Sequence, residues 1–309
     1  MAAVAPPDPR LERALEAIPA WSRARSVRTS PLPGGITNHN FLVVVDGERF
    51  VARLAGKDTE LLGIDRHAEH AAAEAAHTVG IGPEVVAFIP ELACLVTRFI
   101  EAQPIPPEAM REPAMLERVV PAIRAFHSGP SLPSSFSPFR MVEAYAREAQ
   151  GRGVPVPEEY DDLRVMAGEI EGGFDSNPIP SRPCHNDLLN ANFLLAGDRV
   201  YIVDYEYAGM GDLFFDLGNL ATKHDFGDPQ DEALLAAYFG EVTPARLARL
   251  KLMKVVADFW EAMWGVLQQG ISTLDFDYVA YAETNFARCR EHAGDARYGQ
   301  WLRDAGGSR

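Results

Sequence analysis

The sequence is poor in cysteine, and this shortage narrows the classes of protein to which it can belong. Its three cysteines, Cys94, Cys184 and Cys289, are spread over a chain of 309 residues. An odd number of widely separated cysteines offers no disulfide framework, and no Cys/His spacing typical of a zinc site is present. This usage is typical of proteins kept in a reducing compartment, so we expect a cytoplasmic location.

Long apolar runs are also missing. The longest runs, such as FLVVV at 41–45, have the length of a strand, so we expect no segment that inserts into a membrane. The first ten residues, MAAVAPPDPR, carry prolines and an acid where a signal peptide needs an apolar stretch. We expect them to form a short disordered lead, with a first helix completing residues 1–24.

Basic residues are outnumbered by acidic ones. The chain has 29 lysines and arginines against 44 aspartates and glutamates, which gives a formal net charge of −15. A negative surface repels phosphate backbones, so we expect no nucleic-acid partner. The same charge is compatible with a cationic small-molecule substrate. The sequence leaves the oligomeric state open.

The chain from 25 to 101 reads mainly as β-structure. SVRTSPL is followed by a Gly-Gly turn, and the runs NFLVVV and RFVARLA flank Asp46-Gly47, a dipeptide favoured in tight hairpins. The alanine-rich stretch 65–79 predicts one helix. EVVAF and ACLVTRFI then predict two further strands.

Four prolines cluster in residues 101–113, and we place a boundary there. Beyond it, apolar periodicity predicts helices at 114–128, 140–150, 158–171, 211–222, 230–239, 244–269 and 276–292. The exception is one hairpin, NFLLAGDRVYIVDY, built around a Gly-Asp turn. We therefore predict an α+β fold with a β-rich first lobe (25–101) and a mainly helical second lobe (102–309). Two unrelated small domains are the alternative.

Polar side chains lie at the ends of two short strands of this second part. HNDLLNAN occupies 185–192, and the apolar strand that follows ends on Asp204. The oxygens of Asn192 and Asp204 suit Mg²⁺, which prefers oxygen ligands and keeps room for water and phosphate. Asp187 would then be free to accept a proton from a hydroxyl group, and His185 would hold the loop by hydrogen bonding.

Each of these residues also has a plain structural interpretation. Asp187 and Asn190 can cap turns, and Asp204 can end a strand. The complete pattern, HxDxxxxN followed twelve residues later by an acid at a strand end, is that of the catalytic and metal-binding loops of protein kinases. The set therefore favours phosphoryl transfer.

The sequence resembles the choline/ethanolamine kinase and aminoglycoside phosphotransferase superfamily over residues 25–292. HNDLLNAN is similar to that group's phosphotransferase motif, and DYEYAGMGDLFFDLGN at 204–219 to its DFEYxxxNxxxFDIxN segment. LPGGITNHNF at 32–41 resembles the phosphate-loop region of choline kinases. The resemblance implies a protein-kinase-like two-lobe fold, ATP and Mg²⁺ as cofactors, and an alcohol as the phosphoryl acceptor.

The resemblance also implies roles for single residues. Asp187 would be the catalytic base, assisted by His185, and Asn192 and Asp204 would be the metal ligands. The residues implied at the nucleotide are Gly34, Gly35, Thr37 and Asn38 over the phosphates, Arg53 with its ion-pair partner Glu69, and the adenine-holding segment Arg98, Phe99, Ile100 and Glu101. The plain alternative for Gly34 and Gly35 is an ordinary turn, and the plain alternative for Arg53 is a solvated residue on a strand.

The C-terminal helices are similar to those that bind the acceptor in choline kinases. The matching positions are Tyr207, Trp264, Tyr278 and Tyr281, with Asp216 in a supporting place. Aromatic faces attract a quaternary ammonium by about 0.5–2 kcal/mol each, although residues at this spacing also suit a helix core. Three positions depart from the family: Glu261, which we also assign to the acceptor site, replaces a tryptophan, Asp228 replaces a tyrosine, and Lys223 replaces the pocket glutamate. A lysine there repels a cation unless it faces away or pairs with Asp225 or Glu261.

Three functions are consistent with these residues. The first is an ATP-dependent kinase for choline or a related amino alcohol, with ethanolamine, thiamine-like alcohols or an aminoglycoside as other acceptors. The second is a non-catalytic nucleotide-binding protein with a kinase fold. The third is a metal-dependent hydrolase built from the same acids. The complete set Asp187, Asn192 and Asp204, together with Arg53, favours the kinase.

Overall fold

The first part of the chain is an antiparallel sheet of five strands. The computed structural model describes residues 8–32, 38–56, 59–272 and 274–307. The strands are β1 (Val27–Leu32), β2 (Asn38–Val45), β3 (Glu48–Ala55), β4 (Val85–Ile89) and β5 (Cys94–Arg98), in the order β1-β2-β3-β5-β4. All five strands were predicted from the sequence. Asp46 and Gly47 have φ angles of 48° and 94°, the two positive values that a tight type I′ hairpin needs.

The two faces of this sheet pack against different helices. Helix α1 (Pro9–Glu16) and Trp21 pack against one face of the sheet and form one hydrophobic core with it. Helix α2 (Arg66–Thr78) belongs to a second hydrophobic core, which includes residues of the other face. Leu95 and Val96 are neighbours on β5 but belong to different cores, because successive side chains of a strand point to opposite faces. The Asp8 side chain caps α1, so residues 8–10 are ordered, whereas a disordered lead was predicted for them.

The second part of the chain is mainly helical. Its helices are α3 (Pro113–His127), α4 (Pro138–Gly151), α5 (Tyr160–Ser176), α6 (Leu213–Lys223), α7 (Asp228–Phe239), α8 (Pro244–Ile271), α9 (Tyr278–Ala293) and α10 (Tyr298–Ala305). Seven of them match the predicted helices within a few residues, and α10 was missed. No helix among the described residues is both long and apolar enough to cross a bilayer.

Short strands between these helices carry the polar motif. A three-stranded sheet has the order β6-β8-β9, from strands β6 (Gln103–Pro104), β8 (Phe193–Ala196) and β9 (Arg199–Ile202). The predicted hairpin around Gly197-Asp198 is β8-β9. Strands β7 (Arg182–Cys184) and β10 (Gly209–Gly211) pair separately. The sequence did not predict β6, β7 or β10, and it ended the second strand of the hairpin at Asp204, two residues beyond the end of β9.

Helix α6 packs closely against the long central helix α8, because a glycine lies at the contact. A Cβ atom added to Gly218 would lie 3.1 Å from the backbone carbon and oxygen of Met253. Real Cβ atoms rarely approach backbone so closely, and backbone atoms cannot move aside as a flexible side chain can. The positions of the residues on α6 therefore depend on Gly218.

We expect Gly218→Ala to lower the free energy of unfolding by about 1–3 kcal/mol, because the added methyl group overpacks a fixed helix contact. Denaturant unfolding measures this change. Gly172→Ala on α5 is the matched control, since its Cβ meets nothing within 4 Å. It should gain up to about 1 kcal/mol from the better helix propensity of alanine. Equal effects of the two substitutions would contradict the close contact of α6 with α8.

Candidate active site

A buried acid holds the loop that follows β7 through hydrogen bonds to its backbone. Asp216 on α6 is fully buried, and its two carboxylate oxygens accept from the backbone N–H groups of His185 at 2.8 Å and Asn186 at 2.6 Å. Asn186 has a φ of 67°, a left-handed conformation that asparagine tolerates better than most residues. The chain therefore turns sharply at Asn186 and presents the next residue, Asp187.

Asp216 also accepts from His127. The distance from Nε2 of His127 to the carboxylate is 2.8 Å, and Nδ1 of His127 lies 2.7 Å from the hydroxyl of Tyr238. Burial acts to raise the pKa of Asp216, but the hydrogen bonds and charges of His127 and His185 together outweigh it and the pKa is lowered. Both oxygens of Asp216 are therefore used to hold the loop and His127. Its assignment to the acceptor pocket is corrected to the supporting place that the sequence also suggested.

Asp216 is also one of three neighbouring side chains of types that can bind a metal ion. Within the described residues, side-chain atoms of His127, Cys184 and Asp216 lie within 4.8 Å of one another. Both ring nitrogens of His127 and both oxygens of Asp216 are already used in hydrogen bonds inside the fold. These bonds account for the trio without a metal ion.

Two further side chains fix the loop. Oδ1 of Asn219 accepts from the backbone N–H of Leu188 at 2.7 Å. His185 uses both ring nitrogens: Nε2 donates to the carbonyl of Val203 at 2.9 Å, and Nδ1 accepts from the N–H of Asp187 at 3.2 Å. Burial lowers the pKa of His185, which favours the neutral ring that this pattern requires. His185 therefore has the geometry of a positioning residue.

Asp187 lies at the centre of the site, with 15% of its side chain exposed. Nδ2 of Asn192 donates to its backbone carbonyl at 2.9 Å and approaches its carboxylate at 3.4 Å. Burial raises the pKa of Asp187 to about 7, although the positive charge of Lys223 opposes that rise. A carboxylate with such a pKa can take up a proton at neutral pH.

Asn192 and Asp204 are brought together by the backbone. The N–H of Val203 donates to the carbonyl of Asn192 at 3.0 Å, so Asp204 follows directly after a residue tied to the loop. Asp204 has a φ of 70°, in the left-handed region. Since the amide nitrogen of Asn192 is used by Asp187, its amide oxygen is the atom left for a ligand.

A network of ions joins the sheet to this loop. Arg53 on β3 pairs with Glu69 on α2 and with Asp204, and Arg66 pairs with Glu69 at 2.6 Å and with Glu206 at 3.5 Å. Asn38 Nδ2 donates to Glu206 at 2.8 Å. The predicted pair of Arg53 with Glu69 is therefore present. Gly34, Gly35 and Thr37, predicted to cover phosphates, lie outside the described residues.

The predicted adenine segment lines a cleft between the sheet and the second part. Arg98, Phe99, Ile100 and Glu101 border a cavity of about 510 Å³ with residues of the β8-β9 hairpin and of the α2–β4 connection. Arg53 and Asp204 border a different, smaller cavity of about 60 Å³, together with Val51, Thr97 and Val203. These two cavities are therefore lined by different groups of the predicted residues.

Four aromatic side chains predicted for the acceptor do come together. Trp264 on α8 lies 5.9 Å from Tyr278 and 5.6 Å from Tyr281 on α9, measured between ring centroids. Its indole N–H donates to the hydroxyl of Tyr207 at 2.9 Å. Gly265 permits the close approach of α9, because a Cβ there would lie 3.0 Å from the Tyr281 ring. We name these four residues the aromatic cluster.

Lys223 points into the same region. Its Nζ lies 2.5 Å from Glu261, 3.3 Å from the hydroxyl of Tyr281 and 3.9 Å from the carboxylate of Asp187. Of the two partners considered from the sequence, Glu261 is the one it contacts. Asp225 instead pairs with Arg111 at 2.7 Å.

Several residues of the site were not assigned from the sequence. Glu206 and Asn219 belong to the quoted segment 204–219, and their place in that motif was the available signal. Asn186 lies inside the loop motif. His127 had no local signal, because it acts on Asp216, 89 residues away. Arg66 lies three residues before Glu69, but its contact with Glu206 spans 140 residues.

The chain was compared with known families and structures. A profile of the phosphotransferase enzyme family matches residues 28–250. Ethanolamine kinase 2 of Mus musculus is 27% identical over 301 residues, which cover 87% of this chain and 76% of that protein. The solved structure of a choline/ethanolamine kinase family protein from Mesorhizobium loti is 34% identical, with a TM-score of 0.82, and the match covers 96% of this chain and 99% of the other.

A second solved structure is more distant in sequence. The choline kinase LicA from Streptococcus pneumoniae is 22% identical, with a TM-score of 0.77, and the match covers 92% of this chain and 99% of that one. At this identity the likeness concerns the fold.

Proposed function

We propose that this chain, which belongs to the phosphotransferase enzyme family as a choline/ethanolamine kinase-like member, transfers a phosphoryl group from ATP to the hydroxyl of a small alcohol, with Mg²⁺ as cofactor. The family makes it a phosphotransferase with an alcohol as acceptor, and the predicted kinase-like two-lobe fold is confirmed. The observation that carries the proposal is the placement of Asp187 against Asn192, beside Asp204.

Asp187 is proposed as the catalytic base. Its carboxylate takes the proton of the acceptor hydroxyl as the hydroxyl oxygen forms a bond to the γ-phosphorus. The bond from that phosphorus to the bridging oxygen breaks, and ADP leaves with the electron pair. The raised pKa of Asp187, about 7, matches the proton affinity that this step needs at neutral pH. His185 positions Asp187 through the hydrogen bond to its N–H.

Asn192 and Asp204 are proposed to hold Mg²⁺. Both offer oxygen atoms, which this hard cation prefers. The surrounding charges are compatible with a cation: Asp204 belongs to a network of acids with Glu69 and Glu206, in which Arg53 and Arg66 form ion pairs. Mg²⁺ bound there would neutralise charge that develops on the transferred phosphoryl group.

The nucleotide is assigned to the sheet side of the cleft. We propose residues 25–101 as the nucleotide-binding lobe and 102–309 as the catalytic and acceptor lobe. Arg53, oriented by Glu69, offers paired hydrogen bonds to phosphate oxygens. The phosphate-covering residues Gly34, Gly35, Thr37 and Asn38 and the adenine segment Arg98, Phe99, Ile100 and Glu101 stay predictions, as does the cytoplasmic location.

The aromatic cluster is proposed as the acceptor site. One of its rings, Tyr281, contacts Lys223 and Glu261, and Lys223 lies 3.9 Å from the carboxylate of Asp187. Choline and related amino alcohols are therefore the first acceptors to test, in agreement with the activities named for the relatives.

We expect ADP to form only when ATP, Mg²⁺ and a suitable alcohol are all present. The measurement is coupled ADP detection over a panel of choline, ethanolamine, other amino alcohols, thiamine and an aminoglycoside, with phosphorus NMR to identify the phosphate ester. Omitting the alcohol is the control. Nucleotide binding without turnover of any alcohol would favour the non-catalytic alternative, and release of free phosphate without alcohol would favour a hydrolase.

A further inference from the structure

Lys223 places a protein ammonium beside the proposed acceptor site. Only 16% of its side chain is exposed, and its Nζ lies 3.3 Å from the hydroxyl of Tyr281 and 3.9 Å from Asp187. It thus contacts one ring of the aromatic cluster and the base at the same time. A bound acceptor has to place its hydroxyl at Asp187, so its head group comes close to this ammonium.

Glu261, the acid that could neutralise a cationic head group of the acceptor, already has partners on both of its carboxylate oxygens. One oxygen of Glu261 accepts from Lys223 at 2.5 Å and from Nδ2 of Asn219 at 3.4 Å. Its other oxygen accepts from the hydroxyl of Tyr281. Glu261 is only 2% exposed. Among the described residues of this group, Asp187 is then the acid left to an acceptor, and it has to receive the hydroxyl proton.

The charge on Lys223 is stable. Burial acts to lower the pKa of Lys223, but Glu261, Tyr281 and Asp187 together outweigh burial and raise the pKa above its ordinary value. The side chain is therefore cationic at neutral pH. Two unlike charges inside a shielded site attract strongly, and two like charges repel equally strongly.

We propose that Lys223 is a specificity-determining residue that selects against acceptors with a fixed positive charge, so that the preferred acceptor alcohol has an uncharged head group. This inference rests on the proposed transfer of a phosphoryl group to a small alcohol, and it ranks uncharged alcohols above the cationic amino alcohols that the relatives suggest. The aromatic cluster then contributes apolar contact, and the ammonium of Lys223 stands close to where a quaternary ammonium would otherwise bind.

A purely structural role is the competing explanation. Lys223 and Glu261 join α6 to α8, and such a buried pair could simply link the two helices. A linking role predicts changes in stability after substitution but no change in the choice between two acceptors of equal size. The ratio of two acceptors therefore separates the explanations.

The test compares choline with its uncharged carbon isostere, 3,3-dimethylbutan-1-ol, in which a carbon replaces the quaternary nitrogen. We expect kcat/KM of the wild-type protein to be higher for the isostere. Lys223→Gln keeps a hydrogen-bond donor for Glu261 and removes the charge. It should raise the ratio of choline to isostere by about 10-fold or more, because the repulsion is gone. Lys223→Arg, which keeps the charge, should retain the wild-type ratio.

Calorimetric titration gives the corresponding ratio of the dissociation constants of choline and the isostere, so the two acceptors can be compared even without turnover. A wild-type preference for choline of about 10-fold or more, or an unchanged ratio in Lys223→Gln, would overturn the inference. The wild-type measurement alone decides if the variant does not fold. Binding of the isostere in preference to choline, without ADP formation from either, would support the role of Lys223 and contradict the proposed function instead.

Discussion

Asp187→Asn is expected to lower kcat by about 10³-fold or more, within the range that removal of a general base produces. The asparagine has the same shape and can still meet Asn192, but it cannot take the proton of the acceptor hydroxyl. ATP affinity should stay within about 3-fold of wild type, because Asp187 is outside the group of residues proposed for the nucleotide. Steady-state kinetics and calorimetric titration with ATP measure the two quantities.

Asp198→Asn is the matched control for this substitution. Asp198 lies in the turn of the β8-β9 hairpin with a fully exposed side chain, 3.5 Å from Arg118. The same chemical change there should leave kcat unaltered. If Asp187→Asn retained more than about a tenth of the wild-type kcat, Asp187 would be excluded as the base.

The same pair of proteins has an expected pH signature in stability. The pKa of Asp187 is raised from 3.8 to about 7 by burial, so the folded wild-type protein favours the protonated acid. Its contribution to stability is complete below the unfolded pKa and is lost as pH rises towards 7. Asp187→Asn does not suffer this loss. Without Mg²⁺ and nucleotide, the variant should exceed the wild type by on the order of 2–4 kcal/mol at pH 8 and match it near pH 4. Parallel stability curves would contradict the raised pKa.

Arg53→Met is expected to destabilise the protein by about 3–5 kcal/mol, since it removes one of the two cations paired with buried Glu69 and the arginine paired with Asp204. Only 12% of the Arg53 side chain is exposed, and its partner Glu69 is almost fully buried. The second partner, Asp204, would face the remaining acids of the network. Adding Glu69→Gln should restore part of the loss, because one of the uncompensated charges is then removed. Denaturant unfolding measures each variant, and the double-mutant cycle measures the pair.

Arg49→Met provides the comparison on the same strand. Arg49 is 38% exposed and pairs with the exposed Glu101, so its loss should cost no more than about 1 kcal/mol. If the two substitutions had equal effects, the ion network around Arg53 would contribute no more than a surface pair does.

Local patterns were sufficient to predict most of the framework. The hairpin at Asp46-Gly47 was predictable because its turn residues must adopt positive φ angles, and few dipeptides do so easily. Strand β10 was not predictable, because Gly209–Gly211 has no strand pattern of its own and is ordered by pairing with β7. Helix α10 was also missed, although it packs on α8 in the fold.

The chemistry of the site was predictable where one motif carried it, and unpredictable where the fold assembled it. Asp187 and Asn192 lie five residues apart, so spacing alone placed them around one loop. The support from His127 to Asp216 spans 89 residues, and no local pattern indicates such a contact. Lys223 was visible as a departure from the family, but only the fold shows that Glu261 is its partner.

The left-handed backbone at Asp204 makes this position intolerant of almost any mutation. Glycine would accept the φ of 70° but would remove the carboxylate, and asparagine would keep the backbone and lose the charge that faces Arg53. Glutamate would keep the charge but meet the steric penalty of a left-handed conformation. A saturation library at codon 204 should therefore return aspartate alone among active clones, so we expect no substitution at this position to preserve activity.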